Sequence, residues 1–405
     1  MALNTQEQLV QLIKELSQQL LPELIEVRRH IHKHPELSFK EYATTQYIAS
    51  QLHKYELPIL KYGLETGLIS ELRGKEENGS LIALRADIDA LPIHETNDCV
   101  YHSIHDGVMH ACGHDVHTTC LLGAMIVLQK LKHYWNGKIK FVFQPGEEKS
   151  PGGATLILAS GALDPKPDYI FGLHVHPALP VGQVGGRAGM FMASSDELTI
   201  VVTGKGGHAA IPDQCIDPIL ISANIVTQLQ SLLQRTKPVH IPAVLSIGHF
   251  ESLGGTYNVI PSQVKMLGTF RTMNEDFRSQ FHTELQNYCK SIGKANNAEV
   301  EVIIERGYPY LVNDIKAYNI WKSSANLLLD SQNVLELPIR MTAEDFAFYT
   351  QSMKGCFFRL GTGNKDMGDR AVHTSNFDID ENAIAIGVQL LVITAINALS
   401  ESDQT

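Results

Sequence analysis

Most features that would tie a chain to a bilayer, a nucleic acid or a disulfide framework are missing. No apolar run in the 405 residues approaches the roughly 20 needed to span a membrane. The start, Met1-Ala-Leu-Asn-Thr-Gln-Glu7, has no basic stretch followed by an apolar block, so no secretory signal is expected. Lys and Arg total 33 against 44 Asp and Glu, a net charge of −11, and no long basic block occurs. Phosphate binding needs a positive face, so neither nucleic acid nor a membrane is an expected partner. The six cysteines (Cys99, Cys112, Cys120, Cys215, Cys289, Cys356) are scattered without a C-x-x-C pair. They read as reduced thiols of a cytoplasmic protein, five of them small buried residues, with Cys112 set apart by its neighbours. Internal repeats and low-complexity tracts are absent too.

What is present is the composition of an ordinary globular protein, 44% apolar, at a length that predicts two domains. Apolar residues at helical spacing (Leu9, Leu12, Ile13, Leu16, Leu20) predict a helix within 5–33, with Pro22 opening a second one. Runs 80–90, 138–144 and 169–174 read as buried strands ending in polar residues, and 118–131 reads as an apolar helix. Strand–helix alternation predicts an α/β domain with helices on the faces of a sheet, and ligands bind beyond the carboxyl ends of such strands. Asp87, Asp89, Glu147, Glu148 and His174 all fall at predicted strand ends. The texture changes near Gly185-Gly186. Strands at 197–202, 243–250, 264–271 and 300–305, with amphipathic helices near 217–235 and 275–294, form a smaller α+β unit. Past Tyr308-Pro309 the α/β pattern resumes, with a strand at 356–360 and a helix near 381–399. Residues 187–308 are therefore expected as an insertion in a domain built from 1–186 and 309–405.

Chemistry concentrates in Cys112-Gly-His114-Asp115-x-His117, Glu147-Glu148, His174-x-His176 and His373. Thiolate, imidazole and carboxylate are the side chains that hold first-row transition metals. A lone Cys-x-His is equally a buried thiol beside a surface histidine. Here Asp115 is placed to orient a ligand imidazole, while His110 and His117 read as non-ligands. Glu147-Glu148 would ordinarily be a solvated acidic pair. Following the strand 138–144, they could instead divide the work, one binding metal and one taking a proton from water. Either His174 or His176 could bind, with strand alternation favouring His174. Spacing alone does not single out His373, whose bland reading is a loop histidine.

These residues, with Arg28-Arg-His-Ile-His-Lys-His-Pro-Glu-Leu-Ser-Phe, Arg85-Ala-Asp-Ile-Asp-Ala-Leu-Pro, Phe143-Gln-Pro-Gly-Glu-Glu, Gly172-Leu-His-Val-His-Pro, Gly204-Lys-Gly-Gly-His-Ala-Ala, Asn258-Val-Ile-Pro and Ala343-Glu-Asp-Phe, cover nearly the whole chain. The sequence resembles the amidohydrolase branch of the dinuclear metallopeptidases that include aminoacylases and glutamate carboxypeptidase. Hippurate hydrolases, N-acetyl-diaminopimelate deacetylases and indole-acetyl-amino-acid hydrolases belong to that branch. The resemblance implies a catalytic domain with a mixed sheet flanked by helices and an inserted ferredoxin-like lid that also dimerises. It implies two divalent metals per chain, held by Cys112 (bridging), His114, Glu148, His174 and His373. Zinc or manganese is favoured, and nickel or cobalt is admitted. It further implies Glu147 as general base, Asp89 as a carboxylate that orients a ligand rather than binding metal itself, His208 as stabiliser of the tetrahedral intermediate, and Asn258 and Arg271 as holders of the substrate's carbonyl and carboxylate. In dimeric relatives the histidine at the His208 position reaches the partner's site. Without the resemblance, Arg271 reads as a solvated strand arginine.

The expected activity is hydrolysis of N-acyl amino acids. An aminopeptidase or dipeptidase on the same scaffold is the nearest rival, although no acid for recognising a free amine can be picked out. A cysteine hydrolase using Cys112 and a metal-binding scaffold without turnover are rivals of other classes; a thiol enzyme would survive chelation, and Glu147 speaks against the scaffold.

Overall fold

The computed structural model describes residues 6–76, 79–364 and 370–402. The expectation about the start of the chain therefore falls largely on residues 1–5, outside the described ones. The chain divides into two compact units. One comprises Met1–Phe191, Val312–Pro338 and Asp345–Thr405; the other comprises Met192–Leu311 and Ile339–Glu344. The short return Ile339–Glu344 to the second unit has no counterpart in the sequence reading.

In the first unit a seven-stranded mixed sheet runs in the spatial order Leu68–Arg73, Lys138–Gln144, Leu81–Asp87, Tyr169–Pro180, Lys354–Gly363, Val184–Gly186, Val334–Glu336. Its four central strands, Lys138–Gln144 to Lys354–Gly363, are parallel, so their carboxyl ends open in one direction. These strands are nearly continuous apolar runs, as expected of strands covered on both faces. The helices Gln6–Lys33, His114–Lys130, Ile315–Leu328 and Ala383–Ser402 pack on one another and on the sheet.

The first helix runs unbroken through Pro22, against the expectation of two helices. Proline removes one backbone donor. The buried stripe Ile13, Leu20, Leu21, Leu24, Val27 and Ile31 nevertheless continues across it, so packing carries the helix through. The ligand-bearing helix begins at His114, four residues before the predicted start, because Gly113 (φ +84°) turns the chain directly into it. A second correction concerns hydrophobic length. The helix Ala383–Glu401 is apolar enough to cross a membrane, with a mean hydropathy of 2.0, but 78% of it is buried within the fold. It is a core helix, apolar on all sides because it is covered on all sides.

The second unit has the order Asp196–Thr203, Pro218–Thr236, Ala243–Leu253, Gln263–Thr272, Glu275–Ala295, Glu299–Arg306, a βαββαβ sequence. Its four strands are antiparallel in the order fourth, first, third, second. Phe270, Phe277 and Phe281 form an aromatic cluster under this sheet, with Phe270 and Phe281 ring centroids 4.5 Å apart. All six cysteines are free; Cys99 and Cys215 are only partly buried, unlike the expectation.

Phe281 is fully buried. Phe281→Ala should destabilise the second unit by about 3–5 kcal/mol through loss of transfer energy and a residual cavity. Hydrogen exchange of the amides in Glu275–Ala295 measures this, and protection unchanged from the parent would place the ring outside the core.

Candidate metal centre and its relatives

The carboxyl ends of the parallel strands carry the acids. Asp87 ends the strand Leu81–Asp87, and Asp89 follows two residues on. Both are buried, and burial works to raise the Asp87 carboxyl. His114, His117 and Arg85 outweigh it and hold the group well below the usual carboxylate range. After the strand Lys138–Gln144, Pro145 and the left-handed Gly146 (φ +60°) deliver Glu147 and Glu148 to the same end of the sheet. Glu147 is 7% exposed, and its Oε1 accepts the Asp345 N–H at 3.3 Å. The Glu148 N–H donates to Asp89 Oδ2 at 3.0 Å.

The loop before the ligand helix passes so close to the sheet that a Cβ on Gly113 would lie 2.5 Å from Val175 Cγ2. His114 and His117 are the first and fourth residues of that helix and face one way. Their roles nevertheless differ. His114 Nδ1 meets Asp89 Oδ1 at 3.1 Å, and its Nε2 is buried with no hydrogen-bond partner. His117 uses both nitrogens: Nε2 accepts the Val175 N–H at 2.9 Å, so Nδ1 carries the proton donated to Asp87 Oδ1 at 2.6 Å. No lone pair remains on His117 for a metal, although it lies near Asp87 and His114.

His174 donates from Nδ1 to its neighbour's carbonyl, Val175 O, at 2.7 Å, leaving Nε2 3.3 Å from Cys112 Sγ. His373 reaches the same sulfur at 3.3 Å and Glu148 Oε1 at 3.2 Å. Its backbone is left-handed (φ +63°), held by its N–H to Ala111 O at 2.7 Å. A non-glycine residue in that region persists where its surroundings over-determine it, often at functional sites. Cys112 thus belongs to two groups whose donor atoms converge within 4.8 Å: Cys112 with His114 and His174, and Cys112 with Glu148 and His373. All five residues implied as ligands by resemblance are brought together, and Glu147 joins His114 and Glu148 in a further group.

The electrostatics ask for a cation. Burial, then Glu148, Glu147 and Asp87, push the Cys112 thiol well above its ordinary value. Burial lowers His114, yet Asp87, Asp89 and Glu148 push it up to about 10. Burial and then Arg359 keep His174 well below its ordinary value, the neutral form that ligates. The orphaned His114 Nε2 and the mixed thiol, imidazole and carboxylate set fit a divalent transition metal. They do not fit a cysteine nucleophile, which needs a lowered thiol pKa.

A family model described as Peptidase family M20/M25/M40 matches residues 83–397. This chain belongs to that family. It is 38% identical over 381 residues to N-acetylcysteine deacetylase of Bacillus subtilis, covering 93% of this chain and 97% of that one. It is 36% identical over 392 residues to thermostable carboxypeptidase 2 of Saccharolobus solfataricus, covering 96% and 98%. Among solved structures it resembles the Bacillus subtilis YXEP protein, a dinuclear metal-binding peptidase, at 34% identity and a TM-score of 0.81, covering 95% and 99%. The chain is a metal-dependent hydrolase of this family, with donor groups for two ions.

One role assigned from the sequence is corrected. Asp115 does not orient a ligand imidazole; it accepts from Arg28 Nε at 2.7 Å and meets His32 Nδ1 at 2.9 Å, while Asp89 stands at 3.1 Å from His114 Nδ1 in the orienting place expected of it. Sequence reasoning also left Asp345 without a role. Its carboxylate takes Arg85, Gln144 and the Ala154 N–H, while its own N–H reaches Glu147, 198 residues away, which no spacing rule reveals. In the second unit, the Ala209 N–H donates to Asn258 O at 2.9 Å, and Val259 pairs with His208. His208 Nδ1 accepts the Ala210 N–H at 3.1 Å, which leaves the ring proton on Nε2. Arg271 is half-buried and donates to Met341 O at 3.3 Å, with no carboxylate paired to it among the described residues.

His114→Ala and His117→Ala separate ligand from support. The first should lower metal content below two per chain. The second should keep two metals at saturation while costing about 1–3 kcal/mol for the unpaired Asp87 and Val175 groups. Atomic absorption together with urea unfolding tests this, and loss of metal in His117→Ala would make that histidine a ligand.

Proposed function

We propose that the chain hydrolyses the amide bond of N-acyl amino acids, releasing a carboxylic acid and a free amino acid. The observation that carries this reading is Glu147, a buried carboxylate set among the convergent donors, with its Oε1 held by the Asp345 N–H. In this reading Cys112, His114, Glu148, His174 and His373 would hold two divalent ions, zinc or manganese before nickel or cobalt, Cys112 being the residue common to both groups of donors. When bound, the ions polarise the amide carbonyl and make water more acidic.

Glu147 takes one proton from the attacking water as its oxygen bonds to the carbonyl carbon, and delivers that proton to the nitrogen as the C–N bond breaks. His208, with its proton on Nε2, is a neutral donor suited to the oxyanion. Asn258 is assigned to the substrate carbonyl. Arg271, half-buried and in no ion pair among the described residues, suits the α-carboxylate of the amino acid. The second unit is assigned the roles of lid and homodimer contact, and the enzyme is assigned to the cytoplasm with no nucleic-acid or membrane partner. The likeness to a deacetylase and to a carboxypeptidase supports amides that carry a free carboxylate on the leaving side.

A panel of acetyl, benzoyl and indole-acetyl amino acids, with dipeptides, run with each metal, decides between this reading and a dipeptidase. Turnover of free-amine dipeptides alone would overturn the N-acyl assignment. In the same assay Glu147→Gln should retain both metals and lose about 10²–10⁴-fold in kcat, because an amide cannot accept the proton. Near-parental kcat in the metal-loaded variant would remove Glu147 from that role.

Arg271→Ala should lower kcat/KM by roughly ten- to a hundredfold on N-acyl amino acids, the loss of a charged hydrogen bond of about 1.5–3 kcal/mol. The corresponding amino-acid amides should be affected far less. Equal losses on acid and amide would leave Arg271 a structural arginine of its strand.

A further inference from the structure

The residues on either side of Glu147 have their N–H groups tied to buried carboxylates. Glu148 N–H goes to Asp89 Oδ2 at 3.0 Å, and Gly146 N–H goes to Glu41 Oε1 at 2.8 Å. Glu41 lies in no group of candidate metal ligands, yet it is fully buried. Its position offers an ordinary explanation, since it immediately precedes the helix Tyr42–Lys54 and could cap it. It makes no side-chain cap bond. The first helical amides are instead served by Glu36, which accepts from Ala43 N at 3.1 Å and Thr44 N at 2.8 Å. Glu41 is thereby free to point elsewhere: Oε1 takes both the Phe39 N–H and the Gly146 N–H, each at 2.8 Å, and Oε2 takes the Thr66 hydroxyl at 2.8 Å.

Both amides held by Oε1 belong to left-handed residues, Phe39 at φ +64° and Gly146 at φ +60°. A bulky side chain in that region is strained and persists only where its surroundings hold it. The Phe39 ring also lies against the Gly146 turn, where a Cβ on Gly146 would come within 2.3 Å of Phe39 Cε1. One residue earlier, Ser38 Oγ donates to Asp89 Oδ2 at 2.7 Å, the oxygen that holds Glu148 N–H. Residues 38–41 therefore brace the Gly146–Glu148 turn from both sides.

We propose that Glu41 is a positioning residue for Glu147, fixing the turn that aims the base through its bonds to the Gly146 and Phe39 amides. The inference rests on Glu147 as general base. Glu41→Gln keeps an oxygen for the two amides and turns its nitrogen to Thr66; Glu41→Leu keeps the bulk and removes the acceptor. With both metals loaded, Glu41→Gln should stay within about threefold of the parent, since the contacts survive. Glu41→Leu should lose roughly ten- to a hundredfold in kcat, the scale of a misplaced catalytic group, with KM and metal content unchanged. In a Glu147→Gln background Glu41→Leu should change kcat by less than about twofold, because groups that act as a unit are not additive.

Should Glu41→Leu not fold, Gly146→Ala tests the same turn, with the same kcat loss expected alone and none in the Glu147→Gln background. Full kcat in Glu41→Leu beside a disabled Glu147→Gln would overturn the inference alone, as would losses that multiply. Full kcat in Glu147→Gln would overturn the general-base reading and the inference with it.

Discussion

Arg85 lies buried in the strand Leu81–Asp87, with its guanidinium against two carboxylates and an amide. Asp87 Oδ2 and Asp345 Oδ1 sit at 2.6 Å each, and Gln144 Oε1 at 2.9 Å. A carboxylate at the end of a covered strand is costly unless a cation and hydrogen bonds answer it. Arg85 answers two at once. Through Asp345 it steadies the backbone that holds Glu147, and through Asp87 it fixes the acceptor of His117, whose other nitrogen holds the Val175 amide beside His174. A buried ion pair of this kind adds little net stability, because desolvation offsets the attraction, whereas removing one partner is costly. Replacing Arg85 by an apolar residue would remove a cation that Asp87 and Asp345 share.

The histidines obey one rule, that the fate of one ring nitrogen decides the use of the other. His114 and His174 each tie Nδ1, to Asp89 and to Val175 O, and so present Nε2. His117 ties both and becomes part of the scaffold. The distinction is made by the carboxylate or backbone group that each ring meets, so three imidazoles packed on one another with ring centroids 4.7–6.3 Å apart do different work.

Legibility followed from where the information lies. The strand Lys138–Gln144 was readable to the residue, because a strand covered on both faces is a short apolar run bounded by polar residues. Helix starts were less so. Nothing in His114-Asp-Val-His117 announces that Gly113 is left-handed, and that conformation is what moves the helix start to His114. Pro22 misled because the local rule counts a missing donor and ignores the buried stripe around it. The donor set was legible as residue types at strand ends, whereas the assignment of roles needed partners distant in sequence. Asp115 turns to Arg28 and His32 instead of to a ligand imidazole. Asp345 and Glu41 act on the Glu147 turn from far along the chain in either direction, and neither has a periodicity or motif of its own that says so.

The acids and the thiol explain one another. Crowding Glu147, Glu148 and Asp87 around a buried sulfur makes the thiolate unfavourable in isolation. Asp87 and Glu148, with Asp89, also raise His114, so the protein on its own would fill this space with protons. Divalent cations held by these residues would reverse the balance, since positive charge favours the anionic sulfur, the anionic glutamate and the neutral imidazole together. The left-handed backbone of His373 completes the logic, because its N–H is fixed to Ala111 O, next to the cysteine it must meet. That bond, with Glu148 Oε1 at 3.2 Å from the ring, holds a half-exposed imidazole against the sulfur. The site is assembled by backbone constraint on its open side and by buried charge on its closed side.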